Sequence, residues 1–231
     1  MRQSLELINL NEWPTDLHTA KQIQEELHPQ LIQADDFQKN NIQLIAGIDV
    51  GFEDNGEVTR AAIVVLSWPN LEIIEKVISR GQTQFPYIPG FLSFREIPEI
   101  IKALKLLKNF PELLFCDGQG IAHPRQMGIA SHLGILTGLP TIGAAKSILV
   151  GKHAEVGEEK GDSEPLIYKK QTIGVALRTR AKVKPMYISL GHRISLPTAV
   201  DYVLKCTTKY RLPQATHLAH RLASLEKDSF K

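Results

Sequence analysis

The chain has 231 residues, 43% of them apolar, which suffices for one large domain or two small ones with a packed core. A formal charge of +2 and a pI near 8.5 are too mild to mark a strongly basic nucleic-acid module. Two cysteines, Cys116 and Cys206, cannot build a disulfide framework, and the start Met1-Arg-Gln-Ser-Leu-Glu has no signal-peptide core. No run reaches the ~18 apolar residues of a membrane span, so a reducing, cytoplasmic setting is expected.

Pro14 to Phe37 reads as a helix, capped by Thr15 or Asp16, with Leu17, Ile23, Leu27, Leu31 and Ile32 as an apolar stripe. Ile42 to Asp49 is an apolar strand ending on an acid. Ala61–Trp68 and Leu71–Ser79, joined by Pro69-Asn70, read as an antiparallel hairpin. The loop from Gln82 to Gly90 is rich in turn residues, and Leu92 to Lys108 resumes a helical pattern with Ser93 as its expected cap. Leu113–Cys116 is a fourth strand, again followed by an acid, Asp117. Arg125–Thr137 reads as a helix closed by Gly138, and Pro140–Gly143 as a short strand. Gly151–Lys170 is polar and charged and is expected to be a surface excursion. Ile173–Leu177 and Met186–Ser189 are further strands; Pro197–Lys209 and Thr216–Leu225 read as closing helices. No repeat, low-complexity tract or linker divides the chain, so residues 1–231 are expected to form one domain. The two most apolar strands, 42–49 and 113–117, suit central positions covered on both faces, and the whole suits a mixed α/β sheet.

Three acids occupy comparable places. Asp49 and Asp117 follow apolar strands, and Glu96 lies one turn into a helix that follows a Pro-Gly loop. If the two strands are neighbours, the aspartates stand side by side and repel unless a cation lies between them. Mg²⁺, with its preference for oxygen ligands, fits such a site, and this chemistry serves phosphoryl transfer. Taken singly, each acid is as well explained as a turn residue or a solvated ion-pair partner; their joint placement is what points to chemistry. His123 and Arg125 sit in a glycine-rich turn, and Lys146 follows the fifth strand; all three can meet phosphate.

Four segments resemble the endonuclease V family in order and spacing: Ala46-Gly-Ile-Asp49-Val-Gly-Phe52, Pro86-Tyr-Ile-Pro-Gly-Phe-Leu-Ser-Phe-Arg-Glu96, Asp117-Gly-Gln-Gly-Ile-Ala-His-Pro-Arg125 and Gly143-Ala-Ala-Lys146. The resemblance spans most of the chain, from about residue 40 to 225. It implies an RNase H-like fold, with a central mixed five-stranded sheet flanked by helices on both faces. It implies Mg²⁺-dependent hydrolysis, with Mn²⁺ as a substitute, of the second phosphodiester bond 3′ to a deaminated purine in DNA, leaving 3′-hydroxyl and 5′-phosphate ends. Carried over by motif, Asp49, Glu96 and Asp117 would be the metal carboxylates, Lys146 would stabilise the scissile phosphate or the attacking water, and His123 would contact the DNA backbone beside Arg125. His220 fits the family's C-terminal active-site histidine, with His217 as its near competitor.

Pro86, Tyr87, Ile88 and Pro89 resemble the family's wedge: two prolines stiffen a loop that offers an aromatic ring and an isoleucine to a base step. An ordinary Pro-rich turn is the alternative reading of those residues alone. A flipped hypoxanthine needs a pocket, and by resemblance Gly90, Leu92, Gly118, Gly128 and Ile129 would line it, their small side chains leaving backbone groups free for the base edge. Leu190, where the family pattern has proline, and Arg211-Leu-Pro-Gln-Ala-Thr216, which lacks a Glu-Pro pair, depart from that pattern. The expected partner is DNA containing deoxyinosine, bound by a monomer without a membrane. Rival readings are a ribonuclease acting on inosine in RNA and an actin-like ATPase suggested by Asp49-Val-Gly51 and Asp117-Gly118. The length argues against the ATPase, because such enzymes need a second α/β domain.

Overall fold

Alternate side chains of the central strands are buried against opposite layers, and that alternation decides where the helices lie. The computed structural model describes residues 13–224. Strand β1 (Leu44–Glu53) sends Ile45 to one core; β2 (Val58–Ser67) adds Val64 and Leu66, and β4 (Leu113–Cys116) adds Leu113 and Phe115. Helices α4 (Leu196–Cys206) and α5 (Gln214–Ala223) cover this face with Ala199, Tyr202, Val203, Leu218 and Ala219. The other side chains of the same strands, including Ala46, Ile48, Ile63, Leu114 and Cys116, face α2 (Leu92–Leu106) and α3 (Ile129–Thr137). Period-2 burial on both faces is the mark of central strands.

Eight strands form one sheet rather than the five expected, in the order β3-β2-β1-β4-β5-β8-β7-β6. The remaining strands are β3 (Ile73–Gln82), β5 (Thr141–Ala145), β6 (Ser163–Tyr168), β7 (Gln171–Leu177) and β8 (Met186–His192). β1 pairs in parallel with β4, and β4 with β5, whereas the other pairs are antiparallel. The segment expected to be a surface excursion supplies β6. Its mostly exposed pattern belongs to an edge strand with only Leu166 buried, which is why hydropathy hides it.

Other boundaries also move. Helix α1 spans Leu17–Leu27, not 14–37, because the chain tightens into a 3₁₀ turn at His28-Pro29-Gln30. Asp16 caps it, accepting from the Thr19 amide at 2.9 Å. α3 starts at Ile129, four residues later than expected, and Gly138 closes it in the left-handed conformation (φ +69°). Ser93 does not cap α2; the cap position is Phe91, and Ser93 is buried with its hydroxyl 3.1 Å from His132 Nδ1. α5 begins at Gln214, and the expected end at Leu225 lies outside the described residues. Pro98 lies inside α2 and has no N–H to give the Phe94 carbonyl. That carbonyl accepts instead from Trp13 Nε1 at 2.7 Å, and the indole stacks on His132 of α3 at 5.7 Å. Among the described residues no helix is long and apolar enough to cross a membrane.

Candidate active site

The parallel pairing of β1 and β4 ends at Ile48 and Cys116, and the Asp117 amide still bonds the Ile48 carbonyl at 3.0 Å before the chain turns away. This peel-off creates the cleft. β1 does not stop at Asp49, as expected, but runs on to Glu53 because β2 continues to pair with it. Asp49 is therefore held inside a strand, at the point where one neighbour departs. It shares its face with Ile45 and Gly47, and α5 packs there. A Cβ on Gly47 would lie 2.0 Å from the Ala215 carbonyl oxygen, so glycine is what lets α5 approach.

That approach delivers His220. Its Nδ1 is 2.7 Å from Asp49 Oδ2 and 3.9 Å from Asp117 Oδ2. His217, the competitor, instead stacks on Tyr210 with ring centroids 3.9 Å apart. Lys146, just past β5, places Nζ 2.5 Å from Asp117 Oδ2 and 3.3 Å from His220 Nδ1. The second Asp49 oxygen accepts from the Val50 amide at 2.8 Å.

The electrostatics show strong crowding of negative charge. Burial, and then the Asp117 carboxylate, raise the Asp49 pKa, against the hydrogen bond from His220. Glu96, on the second turn of α2, is pushed up to about 8 by burial and by both aspartates, with Arg95 opposing. Asp117 Oδ2 is buried and accepts no hydrogen bond of good geometry; Lys146 meets it only as an ion pair. Ligand atoms of Asp49, Asp117 and His220 all lie within 4.8 Å of one another. A buried pair of facing carboxylates, one oxygen lacking a well-formed hydrogen bond and the Asp49 pKa raised, fits a hard divalent cation. Glu96 does not join that close trio but lines the adjoining pocket beside Asp117.

The pocket encloses about 400 Å³. All five residues expected in its wall, Gly90, Leu92, Gly118, Gly128 and Ile129, line it, together with Tyr87, Glu96, Asp117 and Lys146. One expectation about the glycines changes. The Gly118 amide bonds the Cys116 carbonyl and the Gly128 amide the Gly120 carbonyl, so these N–H groups are taken. What the missing side chain provides is closeness: a Cβ on Gly118 would lie 2.6 Å from Ile129 Cγ2.

Tyr87 stands at the rim, 70% exposed, with Pro86 and Pro89 exposed beside it. Ile88 differs from its neighbours and packs against Phe85, Phe91 and Phe94 beneath the loop. The loop is anchored through the Gly90 carbonyl, which accepts from Gln24 Nε2 (3.1 Å), His123 Nε2 (3.0 Å) and Arg125 Nη2 (2.7 Å). His123 is buried at 4% exposure, its Nδ1 accepts from the Arg125 and Met127 amides, and burial and Arg125 lower its pKa to about 4. It is thus a neutral wall residue rather than the outward phosphate contact expected. The Arg125 guanidinium lies over the Phe91 ring, 4.1 Å from its centroid, and also bonds Gln24.

Sequence reasoning missed Gln24, Gln119, Met127, Ile148, Leu149 and Arg211. Gln24 is fully buried in α1 and joins Arg125 to Gly90, a link no local pattern announces. Arg211 holds the Lys146 carbonyl at 2.9 Å. The signal that was available is the pair Ile148-Leu149, large apolar residues left 38% and 45% exposed just after Lys146, where they line the pocket.

A mixed α/β sheet with a crowded carboxylate pair, a lysine and a histidine at the end of its parallel strands defines an enzyme of the acid-cluster, phosphate-handling class. The family model for Endonuclease V matches residues 25–221. The endonuclease V of Nostoc punctiforme is 58% identical over 212 residues, covering 92% of this chain and 96% of that protein. The crystal structure of the Streptomyces avermitilis endonuclease V superposes with a TM-score of 0.88 at 40% identity, covering 93% of this chain and 94% of that one. The Ciona intestinalis endonuclease V, solved with a 24mer DNA containing an inosine followed by a ribo-adenosine, matches with a TM-score of 0.80 at 31% identity over 90% of this chain and 96% of that one. The chain belongs to the Endonuclease V family and is an endonuclease.

Proposed function

We propose that this chain is a DNA repair enzyme that extrudes a deaminated purine, foremost deoxyinosine, and hydrolyses the second phosphodiester bond 3′ to it, leaving 3′-hydroxyl and 5′-phosphate ends. The observation that carries the reading is that base pocket and acid cluster share one wall: Glu96, Asp117 and Lys146 line the same 400 Å³ cavity as Tyr87, Leu92 and Gly118. The inosine-containing DNA bound by the Ciona relative supports the substrate class.

In this reading Asp49 and Asp117 hold Mg²⁺, or Mn²⁺ as a substitute, with Glu96 as a further carboxylate. Bound there, the cation supplies Lewis acidity toward a phosphoryl oxygen and lowers the pKa of a coordinated water. The protein's own groups do the rest. Lys146 offers its ammonium to a phosphate oxygen and the developing charge. His220 holds a proton at Nδ1 against Asp49, which fixes its ring. Tyr87, on the proline-stiffened loop of Pro86, Ile88 and Pro89, fills the gap left by the extruded base; Ile88 is the hydrophobic root of that loop. Gly90, Leu92, Gly118, Gly128 and Ile129 shape the base pocket, while His123 and Arg125 position its wall through Gly90. We read β3-β2-β1-β4-β5 as the RNase H-like unit, β8-β7-β6 as its extension, and the chain as one catalytic domain acting as a monomer. A second reading, inosine in RNA, is favoured by the ribo-adenosine that follows inosine in the Ciona complex.

Cleavage of matched deoxyinosine-DNA and inosine-RNA strands with Mg²⁺ tests both readings. A nick in the deoxyinosine duplex that disappears in Asp49→Ala supports the DNA reading and the metal assignment. Faster cleavage of RNA selects the second reading, and undiminished cutting by Asp49→Ala overturns the metal assignment. Tyr87→Ala should weaken lesion binding with the cation affinity unchanged.

A further inference from the structure

Behind the wall that carries Gly90 lies a second, open cleft of about 320 Å³. Its lining includes Gln24, His28, Arg125, Gln126, Lys169 and Gln171. The two cavities are back to back: Gln24 and Arg125 line the second, and both bond the Gly90 carbonyl, which lines the first. Two permanent cations, Arg125 and Lys169, face this cleft against one acid, Glu25, and Tyr168 adds an aromatic ring.

The far side of the cleft is the tip of the β6–β7 hairpin. Tyr168 pairs with Gln171, so Lys169 and Lys170 form a two-residue turn, with φ of +48° and +66°. Positive φ at both central positions is the turn that asparagine and glycine adopt readily and lysine does not. Gln126, on the opposite lip, is also left-handed at φ +54°. Its side-chain amide reaches Gln171 Oε1 at 3.2 Å, and His28 Nε2 stands 3.2 Å from its own Oε1. The edge hairpin is thus tied back to the turn that follows His123. Left-handed residues thus stand on both lips, with lysine at the two turn positions where local preference asks for Asn-Gly.

We propose that this cleft is a subsite for the sugar-phosphate backbone of the nucleic-acid strand adjoining the nucleotide held in the main pocket. Arg125 and Lys169 meet the phosphate, the glutamine amides and His28 meet backbone oxygens, and contacts of this kind give affinity without reading sequence. The assignment rests on the nucleic-acid reading of the main pocket and extends it across the Gly90 wall.

The test is Lys169→Asn combined with Lys170→Gly, read by fluorescence anisotropy for nucleic-acid affinity and by steady-state cleavage of a deoxyinosine duplex. The substituted pair suits the turn, so thermal stability holds or rises, which separates lost binding from lost fold. Affinity should fall about three- to tenfold, and the slope of log affinity against log salt should shrink by about one for each phosphate contact removed. The KM rises with it and kcat is unchanged. Unchanged affinity and salt slope in the folded variant overturn the subsite even where the wild type cuts deoxyinosine. A wild type that cuts no deoxyinosine duplex, yet loses nucleic-acid affinity on this double substitution, overturns the substrate reading and leaves the subsite standing.

Discussion

Glu96 shows how strongly a single carboxyl senses its neighbours. Its pKa stands near 8 against an ordinary 4.5, because burial and two aspartates penalise its charge. A carboxyl whose folded pKa is raised keeps its proton in the native state while the unfolded chain has lost it. Stability must therefore fall as pH rises between those two values. Thermal unfolding in chelator should show this decline, and Glu96→Gln should flatten it. Adding Mg²⁺ at pH 8 should reverse it, by about 2.7 kcal/mol at a hundred times the dissociation constant. A pH-independent midpoint in chelator would exclude a buried, repelled Glu96. Lys146 has a different duty: its ammonium pairs with Asp117 in the free protein, and the proposed mechanism gives it the phosphate. Lys146→Met should lower kcat by about 10²- to 10³-fold with cation binding retained, as steady-state cleavage will show.

Among the secondary-structure elements, α5 is the one whose placement matters most. Its backbone is pressed on β1 at Gly47, and its far end is clasped by the buried Arg60, whose guanidinium Nε bonds the Ala223 carbonyl at 2.7 Å. Gly47→Ala should cost about 1–3 kcal/mol in urea unfolding, through overpacking, and should reduce cleavage further by moving His220 off Asp49. Wild-type unfolding and activity in that variant would show that α5 has room to spare. The central elements were readable because their signals are local. β1 and β4 announce themselves as apolar runs ending on acids, and α2 by its apolar periodicity after a Pro-Gly loop. β6 was not readable, since an exposed edge strand with one buried side chain has no alternation to find. His220 was preferred to His217 by resemblance alone, since the residues themselves do not separate the two. Three residues apart on a helix, they are separated only by what the helix packs against.

Across the protein as a whole, the site was visible as residue types and invisible as a surface. Asp49, Asp117 and Lys146 could be named from sequence because charge following buried strands demands a reason, and Glu96 because it lies one turn into the helix just after the Pro-Gly loop. The burial of His123 and the buried Gln24 link depend on contacts between distant segments, as Gln24 to Arg125 shows, and the amides of Gly118 and Gly128 are engaged within a turn whose geometry the residue types do not announce. The count of five strands failed because the resemblance speaks for the chemistry-bearing centre of the sheet, whereas β8, β7 and β6 extend it beyond β5.

The proline inside α2 has an optical consequence. By freeing the Phe94 carbonyl it ties down Trp13, while the other tryptophan, Trp68, lies in the opposite layer against Tyr202 at 5.0 Å. Trp68→Phe leaves one tryptophan, packed with Phe85, Phe91 and Phe94 directly under the loop that carries Tyr87 and excited apart from the tyrosines at long wavelength. Its neighbour His132 is held neutral, its pKa lowered to about 3 by burial, so the imidazole adds no pH-dependent quenching in ordinary buffers. Emission from that variant should shift when deoxyinosine duplex is added and stay constant with undamaged duplex, giving a dye-free signal for entry of the wedge. An identical response to both duplexes would mean that the loop does not distinguish them.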